Sequence, residues 1–203
     1  MTIPRGDRAK RALDIAGAGA GLLVTSPILL AACTAILLTD GRPVLFRQQR
    51  VGRNGVPFEI LKFRSMRNDA AGLQVSSDHD PRITRVGNIL RKSKVDELPQ
   101  LVNVLRGQMS IVGPRPEVPR YVDRWPDALR PEILSVRPGI TDPASIVFRD
   151  ESEILAASAD PEATYIDEIL PRKADMYADY VRRRTFQGDL KLIAMTVRAV
   201  IRR

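Results

Sequence analysis

The chain has 203 residues, of which 44% are hydrophobic, 28% charged and only 5% aromatic. This composition is that of a folded protein with one compact core, which excludes a disordered chain. The net charge of +8 favours an anionic partner: a nucleic acid, an acidic membrane surface or a phosphorylated substrate. The single cysteine and the single histidine exclude a disulfide framework and a histidine-rich metal cluster.

The most apolar stretch of the chain runs from Leu13 to Leu38. As a helix it would be about 39 Å long, which is enough to cross a bilayer. Ser26 and Pro27 lie near its centre, and proline both removes a backbone donor and clashes with the preceding turn. The sequence therefore predicts a helix that is broken at Ser26-Pro27.

Basic residues flank both ends of this stretch, namely Arg5, Arg8, Lys10 and Arg11 before it and Arg42, Arg47, Arg50 and Arg53 after it. A helix that spans the membrane carries its excess of cations mainly on the cytoplasmic side. Two basic flanks instead fit a helix-break-helix hairpin that enters and leaves by the cytoplasmic face. A plain signal anchor with a proline kink is the alternative.

The remainder of the chain predicts a small α+β domain that is mainly helical. Two strand-like segments between Arg42 and Phe63 are separated by a turn at residues 53–55, which predicts a short β-hairpin. Helical periodicity covers Asn88 to Leu105, with a break before Pro99. Asp189 to Arg203 forms an amphipathic helix that either packs on the core or lies on anionic lipid. We therefore divide the chain into a membrane segment, residues 1–40, and a cytoplasmic domain, residues 41–203.

Asp96 and Glu97 are the first candidates for catalysis. They follow a basic stretch and precede Pro99, a residue that favours the first turn of a helix. Near a helix N-terminus the dipole favours an ionised carboxylate, which can attack phosphorus or bind Mg²⁺. The structural alternative is a capping box between Ser93 and Asp96.

Several cations are candidates for binding phosphate. Lys62 and Arg64 come at the end of a strand-like segment, where functional side chains are common. Arg115 lies between two prolines, so little conformational entropy remains to be lost when it binds phosphate. Arg137, before Pro138, repeats this pattern more weakly. Planar guanidinium groups match the oxygens of a phosphate.

Asp78-His79-Asp80 presents a different possibility, because many soluble glycosyltransferases use a D-x-D motif to hold a metal against a diphosphate. Those enzymes need an extensive nucleotide-binding domain upstream, and here the apolar stretch occupies that place. We therefore favour a turn for residues 78–80. The sequence has no P-loop motif, which argues against a P-loop kinase or ATPase.

Five blocks occur in a recognisable order: Pro57 to Met66, Asp80 to Arg91, Asp96 to Leu105, Met109 to Pro116, and Arg137 to Thr141. In these blocks the chain resembles the monotopic phosphoglycosyl transferases, bacterial sugar transferases that start polysaccharide and glycan assembly on undecaprenyl phosphate. The resemblance covers nearly the whole chain. It also strengthens the hairpin interpretation, because minimal members of that family carry a re-entrant helix broken at a Ser-Pro pair.

The resemblance implies a mechanism. Asp96 would attack the β-phosphate of a UDP-sugar, UMP would leave, and undecaprenyl phosphate would then attack the covalent aspartyl-phosphosugar. Glu97 would help to bind Mg²⁺, together with Asp96, or would handle a proton. The phosphates would be held by cations that match the motifs of the family, namely Lys62, Arg64, Arg91, Arg115 and Arg137.

The same resemblance implies where the protein acts and what it meets. Its partners would be a UDP-sugar, undecaprenyl phosphate and lipid of the bacterial inner membrane, at the cytoplasmic face and without nucleic acid. A homodimer remains open. Many relatives follow the Pro-Gly-Ile-Thr block with glycine and a Trp-Ala-Gln-like run, whereas this chain has Asp142-Pro143-Ala144-Ser145. This departure leaves the transferred sugar undetermined.

Two other classes of function are alternatives. A membrane-anchored basic binding protein without catalysis would explain the charge, although few aromatic residues and no nucleic-acid motif accompany it. A metal-dependent glycosyltransferase that used Asp78 and Asp80 would release UDP, whereas the family mechanism releases UMP.

Overall fold

The computed structural model describes residues 5–67 and 80–201. Within these ranges the chain is rich in helix and contains two small sheets. The helices are α1 (Arg5–Thr39), α2 (Arg85–Lys92), α3 (Gln100–Leu105), α4 (Pro119–Val122), α5 (Arg130–Ile133), α6 (Pro143–Val147), α7 (Glu151–Ala156), α8 (Pro161–Thr164), α9 (Leu170–Arg183) and α10 (Phe186–Ile201). The strands are β1 (Leu45–Val51), β2 (Pro57–Phe63), β3 (Ser110–Val112) and β4 (Gly139–Thr141).

The β-hairpin that the sequence predicts is confirmed. Strands β1 and β2 pair antiparallel, from Leu45 opposite Phe63 to Val51 opposite Pro57. Asn54, with φ 58°, makes the turn between them. On β2, Phe58 and Ile60 point into the core, as their alternation requires.

The second sheet was not predicted. Strands β3 and β4 pair parallel, with Ser110 opposite Gly139 and Val112 opposite Thr141. Each strand has only three residues, which is too short for a period of two to stand out in the sequence. The pair brings the loop after β3 beside the segment that precedes β4, because Gly139 N donates to the carbonyl of Pro114.

Helix α1 is the one helix in the described part of the chain that is long and apolar enough to cross a membrane. It continues through Pro27, where the sequence predicts a break between two helices. Pro27 cannot donate to the carbonyl of Leu23, and the hydroxyl of Ser26 donates to that carbonyl instead, at 2.8 Å. This side-chain bond satisfies the group that proline leaves free, so the chain stays helical there.

One face of α1 packs along the rest of the molecule over most of its length. Near its start, the carboxylate of Asp14 accepts hydrogen bonds from the hydroxyl of Ser110 and the amide of Ile111. Ala18 joins a buried cluster with Phe58, Ile60, Val104 and Met109. Near the end of the helix, Ala32 and Ile36 join a second cluster with Phe63 and Leu90. The opposite face exposes apolar side chains, among them Leu23, Val24, Leu30 and Leu38.

A third cluster forms the core of the C-terminal half and does not involve α1. It gathers the aromatic residues of α4, α9 and the turns between them, and its members are Val118, Tyr121, Val122, Trp125, Ile133, Ala144, Leu155, Tyr165, Ile169, Leu170, Ala174, Tyr177 and Ala178. This core supports the loop that follows β3, because Tyr165 donates to Glu117 of that loop at 2.9 Å.

Candidate active site

Asp96 and Glu97 lie on a single 3₁₀ turn between α2 and α3. Helix α2 ends at Lys92 and is capped by Ser93, whose hydroxyl donates to the carbonyls of Ile89 and Leu90. Ser93 therefore belongs to the end of α2, which contradicts the alternative of a capping box between Ser93 and Asp96. Lys94 follows in the left-handed region, with φ 58°, and turns the chain so that Asp96 faces inward. A non-glycine residue rarely adopts this conformation, and such strain is concentrated at functional sites.

Glu97 is held by two cations. Its Oε1 accepts from Lys62 Nζ at 2.8 Å and from Arg115 Nη2 at 2.9 Å. Burial alone would raise the pKa of Glu97, but the charges of Arg115, Lys62 and Lys94 hold that pKa well below its usual range. The carboxylate of Glu97 is therefore ionised and already paired.

The surroundings of Asp96 differ from those of Glu97, because no described cation pairs with its buried oxygen. Asp96 is 7% exposed, and its Oδ1 is buried without a hydrogen-bond partner in the described part of the chain. Burial and the charge of Glu97 raise the pKa of Asp96, against the opposing effect of Lys62, Lys94 and Arg91. Burial is the largest of these effects, so the ionised form of Asp96 is less favoured than that of an ordinary aspartate. One oxygen of Asp96 is thus buried and not satisfied by any group in the described part of the chain.

Arg115 reaches Glu97 from the loop between β3 and α4. The charge of Glu97 raises the pKa of Arg115 well above its usual value, so the guanidinium stays ionised. The backbone on both sides of Arg115 is fixed, since the carbonyl of Pro114 accepts from Gly139 N and the carbonyl of Pro116 accepts from Arg50 Nη1. The prolines and these bonds together place Arg115 with little freedom to move.

Two further charged residues, Glu117 and Arg50, lie next to the Arg115 loop, and the sequence did not predict their pairing. Glu117 is 4% exposed, accepts from Tyr165 and lies 3.6 Å from Arg50 Nη1. Burial lowers the pKa of Arg50, while the charge of Glu117 opposes that change. Glu117 directly follows the Gly113–Pro116 block, but nothing in the sequence pairs it with Arg50 or Tyr165, which are far away in the chain.

Of the other predicted phosphate ligands, one lies near the dyad formed by Asp96 and Glu97, and two lie elsewhere. Arg91 stands close enough for its charge to lower the pKa of Asp96, against the larger effect of burial, and it contacts Met66 Sδ at 3.7 Å. Arg64 is buried and donates to the carbonyls of Asp40 and Gly41, just after the end of α1. Arg137 donates to the carbonyl of Gly107 at 2.8 Å and lines a different cleft. The structure therefore brings Lys62, Arg91 and Arg115 to the dyad.

Of the D-x-D motif, Asp78 and His79 lie outside the described residues. Asp80 pairs with Arg82 at 2.6 Å, and the hydrogen bond from Arg82 lowers the pKa of Asp80. Asp80 also accepts from the amide of Arg82, which makes a local turn.

The donor set of the site fits a magnesium ion that is shared with phosphates. Mg²⁺ is commonly bound by one or two carboxylates together with phosphate oxygens of the substrate. Asp96 offers a buried oxygen without a partner, and Glu97 adjoins it. Among the described residues no group of three or more His, Cys, Asp or Glu side chains could hold a metal, which argues against an all-protein cage.

The unusual segment after the Pro-Gly-Ile-Thr block has a structural role. Asp142 is fully buried and caps α6, accepting from the amide of Ser145 at 2.9 Å and from its hydroxyl. Burial raises the pKa of Asp142, although the hydrogen bonds from Ser145 oppose it. Pro143 occupies the first turn of α6, where proline is favoured. The departure therefore builds a short helix.

Comparison with known proteins places this arrangement in a family. Residues 5–203 match the sequence model described as bacterial sugar transferase. The UDP-glucose:undecaprenyl-phosphate glucose-1-phosphate transferases of Escherichia coli and Caulobacter vibrioides are each 38% identical to the chain, over 93% and 96% of its length. A UDP-N-acetylgalactosamine-undecaprenyl-phosphate N-acetylgalactosaminephosphotransferase of Aeromonas hydrophila is also 38% identical, over 95%.

These relatives differ in length from the chain. The aligned part makes up 39% of the Escherichia coli protein, 43% of the Aeromonas hydrophila protein and 70% of the Caulobacter vibrioides protein. The family match extends from α1 to the C-terminal residue, so it includes the apolar helix, the dyad and the Arg115 loop. The chain belongs to the bacterial sugar transferase family.

Proposed function

We propose that this protein transfers a sugar 1-phosphate from a UDP-sugar to undecaprenyl phosphate, with Asp96 as the nucleophile. The observation that carries the proposal is that the two neighbouring carboxylates differ in their hydrogen-bond partners. Glu97 is paired with Lys62 and Arg115, whereas Asp96 Oδ1 has no partner in the described part of the chain. The substrates are those in the names of the relatives, which act on UDP-sugars and undecaprenyl phosphate.

In the first step, a carboxylate oxygen of Asp96 attacks the β-phosphorus of the donor. The bond from that phosphorus to the oxygen bridging the two phosphates breaks, and UMP leaves with the bridging oxygen. Lys62, Arg91 and Arg115 offset the negative charge that gathers on the diphosphate. Since Glu97 is already neutralised by its two cations, its carboxylate helps to fix Lys62 and Arg115 toward the phosphates.

In the second step, a phosphate oxygen of undecaprenyl phosphate attacks the phosphorus of the aspartyl-phosphosugar. The bond to Asp96 breaks, and the carboxylate is restored as the lipid diphosphate sugar leaves. Asp96 and Glu97 are the residues that would hold Mg²⁺, which would supply charge neutralisation at the donor diphosphate. A two-step route lets one set of cations serve a soluble donor and a lipid acceptor in turn.

We further propose that α1 enters and leaves the inner membrane by its cytoplasmic face, bending at Ser26-Pro27. Contacts with the domain at Asp14 and again at Ile36 support this path. These two residues are about 33 Å apart along a helix, so a straight crossing would draw the domain into the bilayer. Tags on both termini are expected in the cytoplasm, and a periplasmic C-terminus would contradict the path.

The Asp96→Asn variant of the full chain tests the nucleophile. With polyprenyl phosphate and a UDP-sugar supplied in detergent, we expect UMP release to fall by at least about a thousandfold, because the covalent route is lost. The melting temperature should not fall, since the substitution removes a buried charge that lies beside Glu97. Asp127→Asn changes an exposed aspartate that precedes α5, and it serves as the matched control.

Two results would contradict the proposal. The first is an Asp96→Asn protein that keeps the turnover of the wild type. The second is release of UDP from the donor, because cleavage at the sugar carbon would mean a glycosyltransferase. A radiolabelled phosphosugar adduct should map to Asp96 when the acceptor is omitted.

A further inference from the structure

Lys94 lies on the turn that joins α2 to the dyad, and the proposed mechanism gives it no task. It comes two residues before Asp96, and its side chain is exposed to solvent. In the part of the chain that the structure describes, no group forms a hydrogen bond or an ion pair with its ammonium. That ammonium is therefore available to an anion that approaches the dyad.

The other three cations near the dyad are already in contact with the protein. Lys62 and Arg115 both donate to Glu97, at 2.8 Å and 2.9 Å. Arg91 packs its guanidinium against a methionine sulfur at 3.7 Å. Lys94 thus differs from these three cations in being exposed and unpaired among the described residues.

The charge of Lys94 acts on the carboxylate of Asp96. Burial is the largest cause that raises the pKa of Asp96, and among the charges that oppose it Lys94 ranks after Lys62 and before Arg91. The ammonium therefore lies within electrostatic range of the group that would carry the phosphosugar. Because lysine has a flexible four-carbon stem, its ammonium can adjust to an anion that moves into place.

The backbone of Lys94 has a conformation that lysine seldom adopts. Its φ is 58° and its ψ is 14°, and its amide donates to the carbonyl of Arg91 at 3.1 Å, just beyond the end of α2. Helices often end in this way, but with glycine or asparagine at that position, because a Cβ is unfavourable there. Such conformational costs are concentrated at functional sites. The turn alone therefore does not account for a lysine.

Exposed apolar surface adjoins this turn. Val95 packs on the cluster that contains Ile36, which places the turn beside the second half of α1. In that half the outer face of α1 is open, and Leu38 is 82% exposed. On α2, Ile89 is 66% exposed. Lys94 therefore lies beside apolar surface, as cationic side chains do where a protein meets lipid headgroups.

The second step of the proposed mechanism benefits from a further cation. The acceptor is a phosphate on a hydrocarbon chain, and it must approach a phosphosugar that is itself negatively charged. These like charges repel, and the repulsion increases where burial lowers the dielectric constant. Lys62 and Arg115 are shared with Glu97, so part of their charge is already neutralised. A cation on the apolar side of the dyad would offset the repulsion.

We infer that Lys94 binds the phosphate of the polyprenyl acceptor and holds it against the phosphosugar on Asp96. This inference rests on the proposed function and assigns a residue to its second step alone. Lys94 stays protonated and donates hydrogen bonds to the acceptor phosphate. The bond from phosphorus to Asp96 breaks while the bond from the acceptor oxygen to that phosphorus forms.

Lys94→Asn tests the inference, because it removes the charge and suits the backbone: asparagine tolerates the left-handed region better than most residues. Its melting temperature should equal or exceed that of the wild type. In a route through a covalent intermediate, kcat/KM for each substrate reports only the half-reaction of that substrate. We expect kcat/KM for polyprenyl phosphate to fall roughly tenfold, as for the loss of one charged hydrogen bond, and kcat/KM for the UDP-sugar to stay within about twofold.

Two further variants separate this effect from a general change in charge. Lys94→Arg keeps the cation and should recover most of the lost kcat/KM for the acceptor. Lys92→Asn removes an exposed lysine from the last turn of α2 and should leave both values within about twofold. Three outcomes would overturn the inference: an unchanged acceptor value for Lys94→Asn, a UDP-sugar value that falls equally, and an equal fall of the acceptor value for Lys92→Asn.

Binding in the absence of the donor distinguishes this inference from the proposed function. Farnesyl phosphate is titrated into the full chain in neutral detergent, and bound ligand is counted by native mass spectrometry. The wild type should bind it roughly tenfold more tightly than Lys94→Asn, whereas farnesol should bind the two proteins equally. Equal affinities for farnesyl phosphate would overturn the inference even if UMP is released. A wild type that releases no UMP would overturn the proposed function, and the binding result would still show whether Lys94 holds a lipid phosphate.

Discussion

Asp96 and Glu97 are neighbours in the chain, yet their carboxylates have different surroundings. Lys62 and Arg115 neutralise Glu97, and no described partner reaches Asp96 Oδ1. Two carboxyl groups whose pKa values are pushed apart are a common basis for dividing catalytic roles. Here the charge on Glu97 is one of the causes that raise the pKa of Asp96.

This coupling predicts the pH dependence of the Glu97→Gln variant. The proposed transfer requires ionised Asp96, whose pKa is raised, so activity of the wild type should fall on acidification at a pH above the pKa of an ordinary aspartate, about 3.9. Removing the charge of Glu97 lowers the pKa of Asp96, so the acidic fall should move to lower pH. The rate itself should decrease by about tenfold or more, because Lys62 and Arg115 lose their shared partner.

The measurement is single-turnover release of UMP between about pH 4 and pH 8. Glu59→Gln, which removes an exposed carboxylate from β2, is the control and should keep the wild-type profile. An acidic fall that stays in place, or moves to higher pH, would contradict the electrostatic coupling between the two carboxylates.

The sequence predicted that Asp96 and Glu97 lie close to cations, but not that only Glu97 is paired with them. That pairing depends on Lys62 and Arg115, which are distant in the chain and meet Glu97 only in the fold. For the same reason Arg64 has contacts that its position could not indicate: it lies just after β2, where the carbonyls of Asp40 and Gly41 accept from it. No sequence pattern near Glu117 or Arg50 indicated that these two residues would pair.

At the scale of elements, the position of α2 depends on Gly87, where the helix backbone lies very close to the backbone of Ser65. A Cβ added there would lie 2.0 Å from the carbonyl oxygen of Ser65, which belongs to the segment after β2. The hydroxyl of Thr84 caps α2 by accepting from Gly87 N at 2.9 Å. Gly87 therefore fixes how α2 presents Arg91 toward the dyad.

Gly87→Ala should destabilise the protein by about 2 kcal/mol or more, because backbone must shift to accept the methyl group. Thermal unfolding in detergent measures the change. Gly19→Ala in α1 is the matched control: its Cβ would meet nothing within 4 Å, so alanine should leave the helix unchanged or slightly more stable. Equal melting temperatures for the two variants would contradict the close approach.

The elements themselves were predicted to different degrees. The β1–β2 hairpin and the amphipathic helix from Asp189 onward follow from strong local patterns, and the structure contains them. The β3–β4 pair was missed because strands of three residues have no readable period. At Ser26-Pro27 the rule for proline predicted a break, whereas a hydroxyl bond from Ser26 to Leu23 keeps the chain helical.

At the scale of the whole molecule, residue 40 separates two segments that differ in composition, but these two segments pack together in the fold. Two of the three buried clusters contain side chains of α1, namely Ala18 with Phe58 and Val104, and Ile36 with Phe63. The buried Asp14 also bonds to β3. The apolar helix α1 is thus part of the core of the domain that follows it.

A truncated chain that begins at Gly41 should therefore fail to fold as a soluble domain. Loss of α1 exposes two apolar clusters and removes the acceptor of Ser110 and Ile111, so we expect aggregation, or no cooperative thermal transition, even in detergent. Leu23→Ser, on the exposed outer face of α1, is the control and should retain a cooperative transition in detergent. A truncated chain that is soluble, monomeric and cooperative would show that the contacts of α1 are dispensable to the domain. It would also remove the packing argument for placing both ends of α1 on one side of the membrane.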